Sequence, residues 1–81
     1  MIIDPKHLIQ LTEIFDCGSF TVAAERLNTS QPALSRMASA LEAELGAPLF
    51  ASRRNPVTPT PLGTELANHG RSIRASTDQI S

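Results

Sequence analysis

The sequence predicts one mostly α-helical domain with three short helices, a small β-wing and a long fourth helix. The 81 residues are 41% hydrophobic and 19% charged, a composition typical of a folded globular domain. A domain of this length buries only about 60% of its unfolded surface, so we expect a thin core. The single cysteine, Cys17, cannot form an internal disulfide. We expect it to be a small buried residue near a helix end.

The first helix is predicted to begin at Asp4-Pro5 and to end at Gly18. Aspartate accepts hydrogen bonds from free N–H groups at a helix start, and proline suits the first helical position. Glycine adopts the left-handed conformation that commonly ends a helix. Between these ends the apolar residues recur at helical spacing: Leu8, Leu11, Ile14 and Phe15.

The second helix is predicted over residues 20–27, followed by a turn at Asn28-Thr29. Its inward face contains Phe20, Ala23, Ala24 and Leu27. We expect Arg26 to pair with Glu25 or Asp16 rather than to contact a ligand.

The third helix is predicted over residues 30–45, between Ser30 as the N-cap and Gly46 as the stop. One apolar stripe contains Leu34, Ala38, Leu41 and Leu45. On a helical wheel, Pro32, Arg36 and Ser39 lie about 140–200° from Leu34, and Ser35 lies at the edge of that face. This outward face is small and polar with one positive charge, which suits a DNA major groove.

Charge is distributed consistently with this interpretation, although the net charge is −1. No acidic residue lies between Arg26 and Leu41. Helices 20–27 and 30–45, joined by a short turn, have the arrangement of a helix-turn-helix. Residues 47–61 contain four prolines and the pair Arg53-Arg54, which predicts an extended basic wing over residues 48–60 that reaches flanking phosphates or the minor groove.

The fourth helix is predicted to start near Thr60-Pro61 and to run to the last residues. Its stripe, spaced alternately by four and three, indicates a dimerisation seam: Leu62, Leu66, His69, Ile73, Ser76 and Ile80. His69, Gly70 and Ser76 weaken this pattern. The alternative is that the stripe packs on the domain's own core, and we favour the dimer because a small domain would otherwise expose the stripe.

The chain resembles the N-terminal domain of LysR-type transcriptional regulators over roughly residues 5–80. The resemblance rests on Ala23-Ala24-Glu25-Arg26-Leu27, Ser30-Gln31-Pro32-Ala33-Leu34-Ser35-Arg36, Leu41-Glu42, Leu45-Gly46, Leu49-Phe50 and Thr60-Pro61-Leu62-Gly63. It implies a winged helix-turn-helix over residues 1–60 and a long dimerising linker helix over residues 61–81. In a full-length protein it also implies a C-terminal domain that senses a small-molecule effector.

With this resemblance we expect sequence-specific binding to double-stranded DNA at an inverted repeat. The expected base-reading residues are Gln31, Pro32, Ser35 and Arg36, and the expected backbone contacts are Thr29, Ser30, Ser39, Arg53, Arg54 and Asn55. The expected dimerisation residues are Leu62, Leu66, His69, Ile73 and Ile80. The protein is expected to act in the bacterial cytoplasm, at the nucleoid and without a membrane, as a homodimer or a full-length tetramer that influences RNA polymerase indirectly.

Some positions depart from the family's usual residues. Ser39, Ser52 and Thr58 stand where a basic residue is common, and Ala38 and Pro59 replace large aliphatic residues. Fewer positive charges neutralise fewer phosphates, so we expect weaker binding by this domain alone.

Two other classes of function are alternatives to DNA binding. A helical interaction module without DNA contact is favoured by the near-neutral net charge, because DNA-binding domains are usually basic. An enzyme is not expected, because no nucleophile–base pair or glycine-rich phosphate loop is recognisable. We expect no metal or other cofactor in this domain, since His7 and His69 lack companions at ligand spacing.

Overall fold

A computed structural model of the chain describes residues 3–80, with side chains described up to residue 76. Four helices and a two-stranded antiparallel sheet follow one another in the order α1 (Pro5–Cys17), α2 (Phe20–Arg26), α3 (Gln31–Leu45), β1 (Phe50–Ser52), β2 (Thr58–Pro59) and α4 (Pro61–Ile80). This order confirms the predicted mostly α-helical fold with a winged helix-turn-helix and a long fourth helix.

Local capping fixes the ends of α1 and α3. The Asp4 carboxylate accepts the Lys6 N–H at 2.9 Å, and the Ser30 hydroxyl accepts the Ala33 N–H at 3.2 Å. Gly18 and Gly46 follow the two helices at φ 69°, where each N–H donates to a carbonyl of the last turn. Glycine takes this left-handed conformation without a Cβ penalty, so both predicted helix ends are confirmed.

The core lies where α1, α2 and α3 meet beneath the wing. Its most deeply buried large side chains are Leu11, Ile14, Leu34 and Leu49. The ring of Phe50 in β1 lies between those of Phe15 and Phe20, with centroids 5.0 and 5.3 Å away. The wing is thereby packed on the helices by aromatic contact rather than held by its short strands alone.

The fourth helix packs closely on α1 through small residues. Gly63, Ala67 and Gly70 are buried on one face of α4, and a Cβ at Gly70 would overlap the Thr12 hydroxyl and the Leu8 carbonyl. The fully buried Thr12 hydroxyl lies 2.9 Å from the carbonyl oxygens of both Leu8 and Ala67 and donates to them. The missing side chain at Gly70 therefore allows this backbone approach between α1 and α4.

An ion-pair network joins α4 and α2 to α1. Glu13 pairs with Arg26 and Arg74, each at 3.2 Å, and Asp16 pairs with Arg71 at 2.6 Å and with Arg74 at 3.2 Å. Burial raises the pKa of Asp16, but hydrogen bonds from the two arginines of α4 outweigh it and leave that pKa below its ordinary value. The prediction that Arg26 pairs with Glu25 or Asp16 was wrong. Asp16 pairs with Arg71 and Arg74, and the Arg26 guanidinium pairs with Glu13 instead.

The Cys17 thiol also contacts this network. It is half-buried rather than buried, and its Sγ donates to Glu13 Oε1 at 3.4 Å. Burial raises the pKa of Cys17, and the hydrogen bond to the Glu13 carboxylate raises it further. The thiol form is therefore favoured over the reactive thiolate.

The predicted dimerisation stripe on α4 divides between two environments. Leu62 and Leu66 are partly buried against the domain's own core, as in the alternative interpretation of the stripe, while Ile73 is half-buried and His69 is exposed. The side chain of Ile80 lies outside the described residues. Among the described helices, none combines the length and apolarity that a bilayer crossing requires.

Candidate nucleic-acid interface

The first turn of α3 presents polar residues to solvent. Asn28, at φ 57°, reverses the chain after α2, and Ser30 then caps α3. Thr29, Ser30, Gln31 and Pro32 are all exposed at this end of the helix. Their exposure leaves a helix N-terminus, with its partial positive charge, open to an approaching anion.

The outward face of α3 forms a shallow open concavity of about 610 Å³. The residues that line it are Gln31, Pro32, Ser35, Arg36 and Ser39. Arg36 is exposed, and the described residues contain no ion-pair or hydrogen-bond partner for its guanidinium. The structure thus brings the four predicted base-reading residues onto one face, with the predicted backbone contact Ser39 beside them.

The wing is the β1–β2 hairpin, and its turn contains the exposed residues Arg53, Arg54 and Asn55. Phe50 pairs with Pro59 and Ser52 with Thr58, with an irregularity in register between these pairs. The Ser52 hydroxyl accepts the Arg54 N–H at 3.2 Å, which stabilises the start of the turn. Arg54 makes no ion pair with the described residues, so its charge is available to a ligand.

Arg53 occupies a different environment from Arg54. Its Nη2 donates to Glu42 Oε1 at 2.6 Å and its Nη1 to Ser39 Oγ at 3.2 Å. Its guanidinium carbon lies 4.9 Å from the ring centroid of Phe50 and 5.7 Å from that of Phe20, within cation–π range. These contacts attach the wing to α3.

Glu42 completes this attachment and was not predicted to have a role. Its Oε2 accepts the Leu49 N–H at 2.7 Å, just before β1. Burial raises the pKa of Glu42, but the Leu49 N–H and the Arg53 guanidinium outweigh it and hold that pKa below its ordinary value. The sequence signal for this role was limited to an acidic residue on α3 and two arginines in the wing. Which arginine pairs with Glu42 depends on how the hairpin packs on α3.

The seven basic residues differ in whether they form ion pairs. Four arginines are held in ion pairs: Arg26, Arg53, Arg71 and Arg74. Lys6, Arg36 and Arg54 make no such pair with the described residues. Two of these three unpaired cations lie on the α3 face and the wing turn, which gives the domain a local positive surface despite its net charge of −1.

A helix-turn-helix with an exposed second helix, followed by a wing, defines the class of DNA-binding regulatory domains. Residues 5–64 match the sequence profile of the bacterial regulatory helix-turn-helix proteins of the lysR family. This match covers well over half of the chain, so the protein belongs to the LysR family. Membership in this family of regulators confirms that the domain is not an enzyme.

Three similar proteins illustrate the relationship. The small neutral protease regulatory protein of Streptomyces coelicolor is 40% identical over 73 residues, which is 90% of this chain and 22% of that protein. The BenM DNA-binding domain, solved on the benA site 1 DNA, superposes with a TM-score of 0.84 at 33% identity over 96% of this chain and 88% of that one. Full-length LysG from Corynebacterium glutamicum with bound effector Arg gives 0.88 at 32% identity over 96% of this chain and 27% of that one.

The chain therefore spans only about a fifth of the length of such curated relatives. Within that span the predicted family and fold are confirmed. The described residues contain no group of three or more His, Cys, Asp or Glu that could hold a metal ion.

Proposed function

We propose that this domain binds double-stranded DNA sequence-specifically as part of a bacterial transcription regulator. The observation that carries this proposal is the outward face of α3, where Arg36 has no partner among the described residues and shares one concavity with Gln31, Pro32 and Ser35. Glutamine pairs well with adenine edges and arginine with guanine edges in the major groove. The similar BenM DNA-binding domain was solved in complex with DNA, which supports DNA binding by this fold.

In this proposal, Gln31, Ser35 and Arg36 read base edges, and Pro32 packs against thymine methyl groups. Backbone contacts come from both ends of the concavity: Thr29, Ser30, Arg54 and Asn55. Ser30 retains its hydroxyl bond to the Ala33 N–H, so its phosphate contact is secondary to capping. Ser39 and Arg53, which were also expected to contact the backbone, are hydrogen-bonded to each other at 3.2 Å.

We also propose that residues 61–81 link the winged helix-turn-helix of residues 1–60 to a second protomer. Leu62 and Leu66 already contact the domain's own core, so the interface would begin at the exposed His69. The sequence prediction adds Ile73 and Ile80 to this interface. A dimer sets two copies of α3 one or more turns apart on an inverted repeat. Sedimentation with and without DNA tests this assembly, and a monomer on a half-site would refute it.

We also propose that the whole regulator responds to a small-molecule effector. Full-length LysG was solved with its effector Arg, which supports a small-molecule effector bound by another domain of the regulator. We propose that the whole protein acts on cytoplasmic DNA as a dimer or tetramer and influences RNA polymerase indirectly, and membership in the LysR family supports this proposal.

Selection of bound duplexes from a random pool tests the DNA-binding proposal. We expect an enriched inverted repeat with the unmodified domain, and with Arg36→Ala a weaker enrichment that has lost its preference at one base pair of each half-site. Ala40→Ser, an exposed change on the same helix outside the concavity, is the matched control and should retain enrichment. Absence of enrichment from folded protein at low salt would refute direct readout, and it would favour the second candidate function, a helical interaction module, which the net charge of −1 supports.

Arg36→Ala should cost about 1–3 kcal/mol of binding free energy and relax preference at one base pair. Because Arg36 has no described partner in the domain, its removal should not lower the melting temperature. A uniform loss of affinity across all sequences would show that Arg36 contacts phosphate rather than bases.

A further inference from the structure

The guanidinium of Arg53 is engaged on its edge and on its face within the domain. Its two terminal nitrogens donate to Glu42 at 2.6 Å and to Ser39 at 3.2 Å. The guanidinium carbon also lies 4.9 Å from the centroid of the Phe50 ring. A phosphate contact by Arg53 would therefore require these internal contacts to be exchanged or shared.

Glu42 makes that exchange unfavourable. Its side chain is only 22% exposed, and its second oxygen already accepts the Leu49 N–H at 2.7 Å. If Arg53 moved to a phosphate, the Glu42 carboxylate would lose its cation while a polyanion lies nearby. Like charges brought together in this way oppose binding.

The neighbouring Arg54 has none of these restraints. Its side chain forms no hydrogen bond or ion pair with the described residues, while its backbone N–H is held by the Ser52 hydroxyl at 3.2 Å. The start of the hairpin turn is thus anchored just before Arg54, by the Ser52 hydroxyl at the end of β1 and by the contacts of Arg53 with α3. The Arg54 side chain extends from an anchored turn and keeps its charge available.

We propose that Arg53 is a positioning residue, which fixes the wing on α3 through Glu42 and Ser39, and that Arg54 is the arginine of the wing that neutralises a phosphate. This inference rests on the proposed DNA-binding function. It assigns the two adjacent arginines different physical roles. Arg54 contributes to the number of neutralised phosphates, whereas Arg53 contributes to the distance between the wing and the base-reading face of α3.

The slope of log affinity against log salt distinguishes these roles, because it counts neutralised phosphates. The probe is the duplex enriched by selection, titrated with this chain at several salt concentrations. Arg54→Ala should reduce the magnitude of the slope by about 0.9 for each bound protomer. Arg53→Ala should lower the affinity about fivefold and leave the slope unchanged, since it removes a moderately exposed ion pair and a cation–π contact.

Glu42→Gln provides a second test whose expected sign is opposite under the two assignments. The amide can still accept the Leu49 N–H, but it lacks the charge that holds Arg53. If Arg53 positions the wing, Glu42→Gln should lower the affinity. If Arg53 binds phosphate, removing a negative charge beside DNA should raise the affinity.

All affinities are compared at a temperature where circular dichroism shows each variant to be folded. If Arg53→Ala does not fold, the change in affinity of Glu42→Gln distinguishes a positioning role of Arg53 from a phosphate contact. A slope reduced by Arg53→Ala as much as by Arg54→Ala would overturn the inference. Unchanged affinity of folded Arg53→Ala would also overturn it, because the contacts would then serve stability alone. Failure of the unmodified chain to bind any duplex would instead refute the proposed function itself, and the inference with it.

Discussion

Replacing Gly70 by alanine tests whether close backbone packing holds α4 on α1. In an isolated helix this change stabilises by about 1 kcal/mol, because glycine is a poor helix former. In this domain the added Cβ would overlap the Thr12 hydroxyl and the Leu8 carbonyl. The second obstacle is backbone, so the overlap is relieved only if the two helices separate.

The expected magnitude follows from the balance of these effects. Overpacking of a buried site costs about 1–3 kcal/mol. Separation of the helices also stretches the 2.9 Å contact between the Thr12 hydroxyl and the Ala67 carbonyl, whose loss costs about 0.5–1.5 kcal/mol. After the gain of about 1 kcal/mol in helix propensity, we expect a net destabilisation of about 0.5–3.5 kcal/mol.

Thermal unfolding followed by circular dichroism measures this effect. Each kcal/mol lowers the melting temperature by about 4–8 °C in a domain of this size. Ser72→Ala is the matched control, since Ser72 is exposed on the same helix and alanine there should be neutral or slightly stabilising. A melting temperature for Gly70→Ala equal to or above that of the control would refute the argument that α4 needs glycine at this contact.

Three further changes test the capping and the acidic groups. Ser30→Ala removes the acceptor of the Ala33 N–H and should lower the unfolding free energy in urea by about 1 kcal/mol, whereas no change would show that the cap is replaceable. Gly46→Ala meets no neighbour within 4 Å but must adopt φ 69°, so it should cost about 1 kcal/mol by the same measurement through backbone strain alone; a neutral result would exclude that strain. The pKa values of Asp16 and Glu42 lie below their ordinary values of 3.8 and 4.5, so the stability they contribute is complete above those values and is lost as the pH falls through the lower folded-state values. Urea unfolding at several pH values should therefore show stability falling at acid pH and falling less in Asp16→Asn; an identical acid profile would contradict the contribution of Asp16.

The ion pairs of Glu13 connect α1 to both α2 and α4. Its carboxylate contacts Arg26 at the end of α2 and Arg74 in α4. The first helix of the helix-turn-helix and the long fourth helix are therefore attached to the same residue of α1. The orientation of α4 is in this way related to the position of α2, the first helix of the helix-turn-helix.

The sequence by itself determined the helix boundaries, because capping is a local interaction. Asp4, Gly18, Ser30 and Gly46 each act within one helical turn, so their chemistry can be recognised without knowledge of the fold. The outward face of α3 was likewise predictable, since the apolar stripe fixes by periodicity which side remains exposed. The four predicted base-reading residues were found together for this reason.

The pairing of residues that are distant in the sequence depends on the tertiary structure. Arg53 and Arg54 are adjacent and chemically identical, yet only the fold of the hairpin onto α3 brings Arg53 to Glu42, eleven residues away. On α4 the sequence pattern emphasised large apolar residues, whereas Gly70 lies against α1. The choice of packing face depends on the surface that meets it, and a backbone groove beside Thr12 accepts a residue without a side chain where a leucine would not fit.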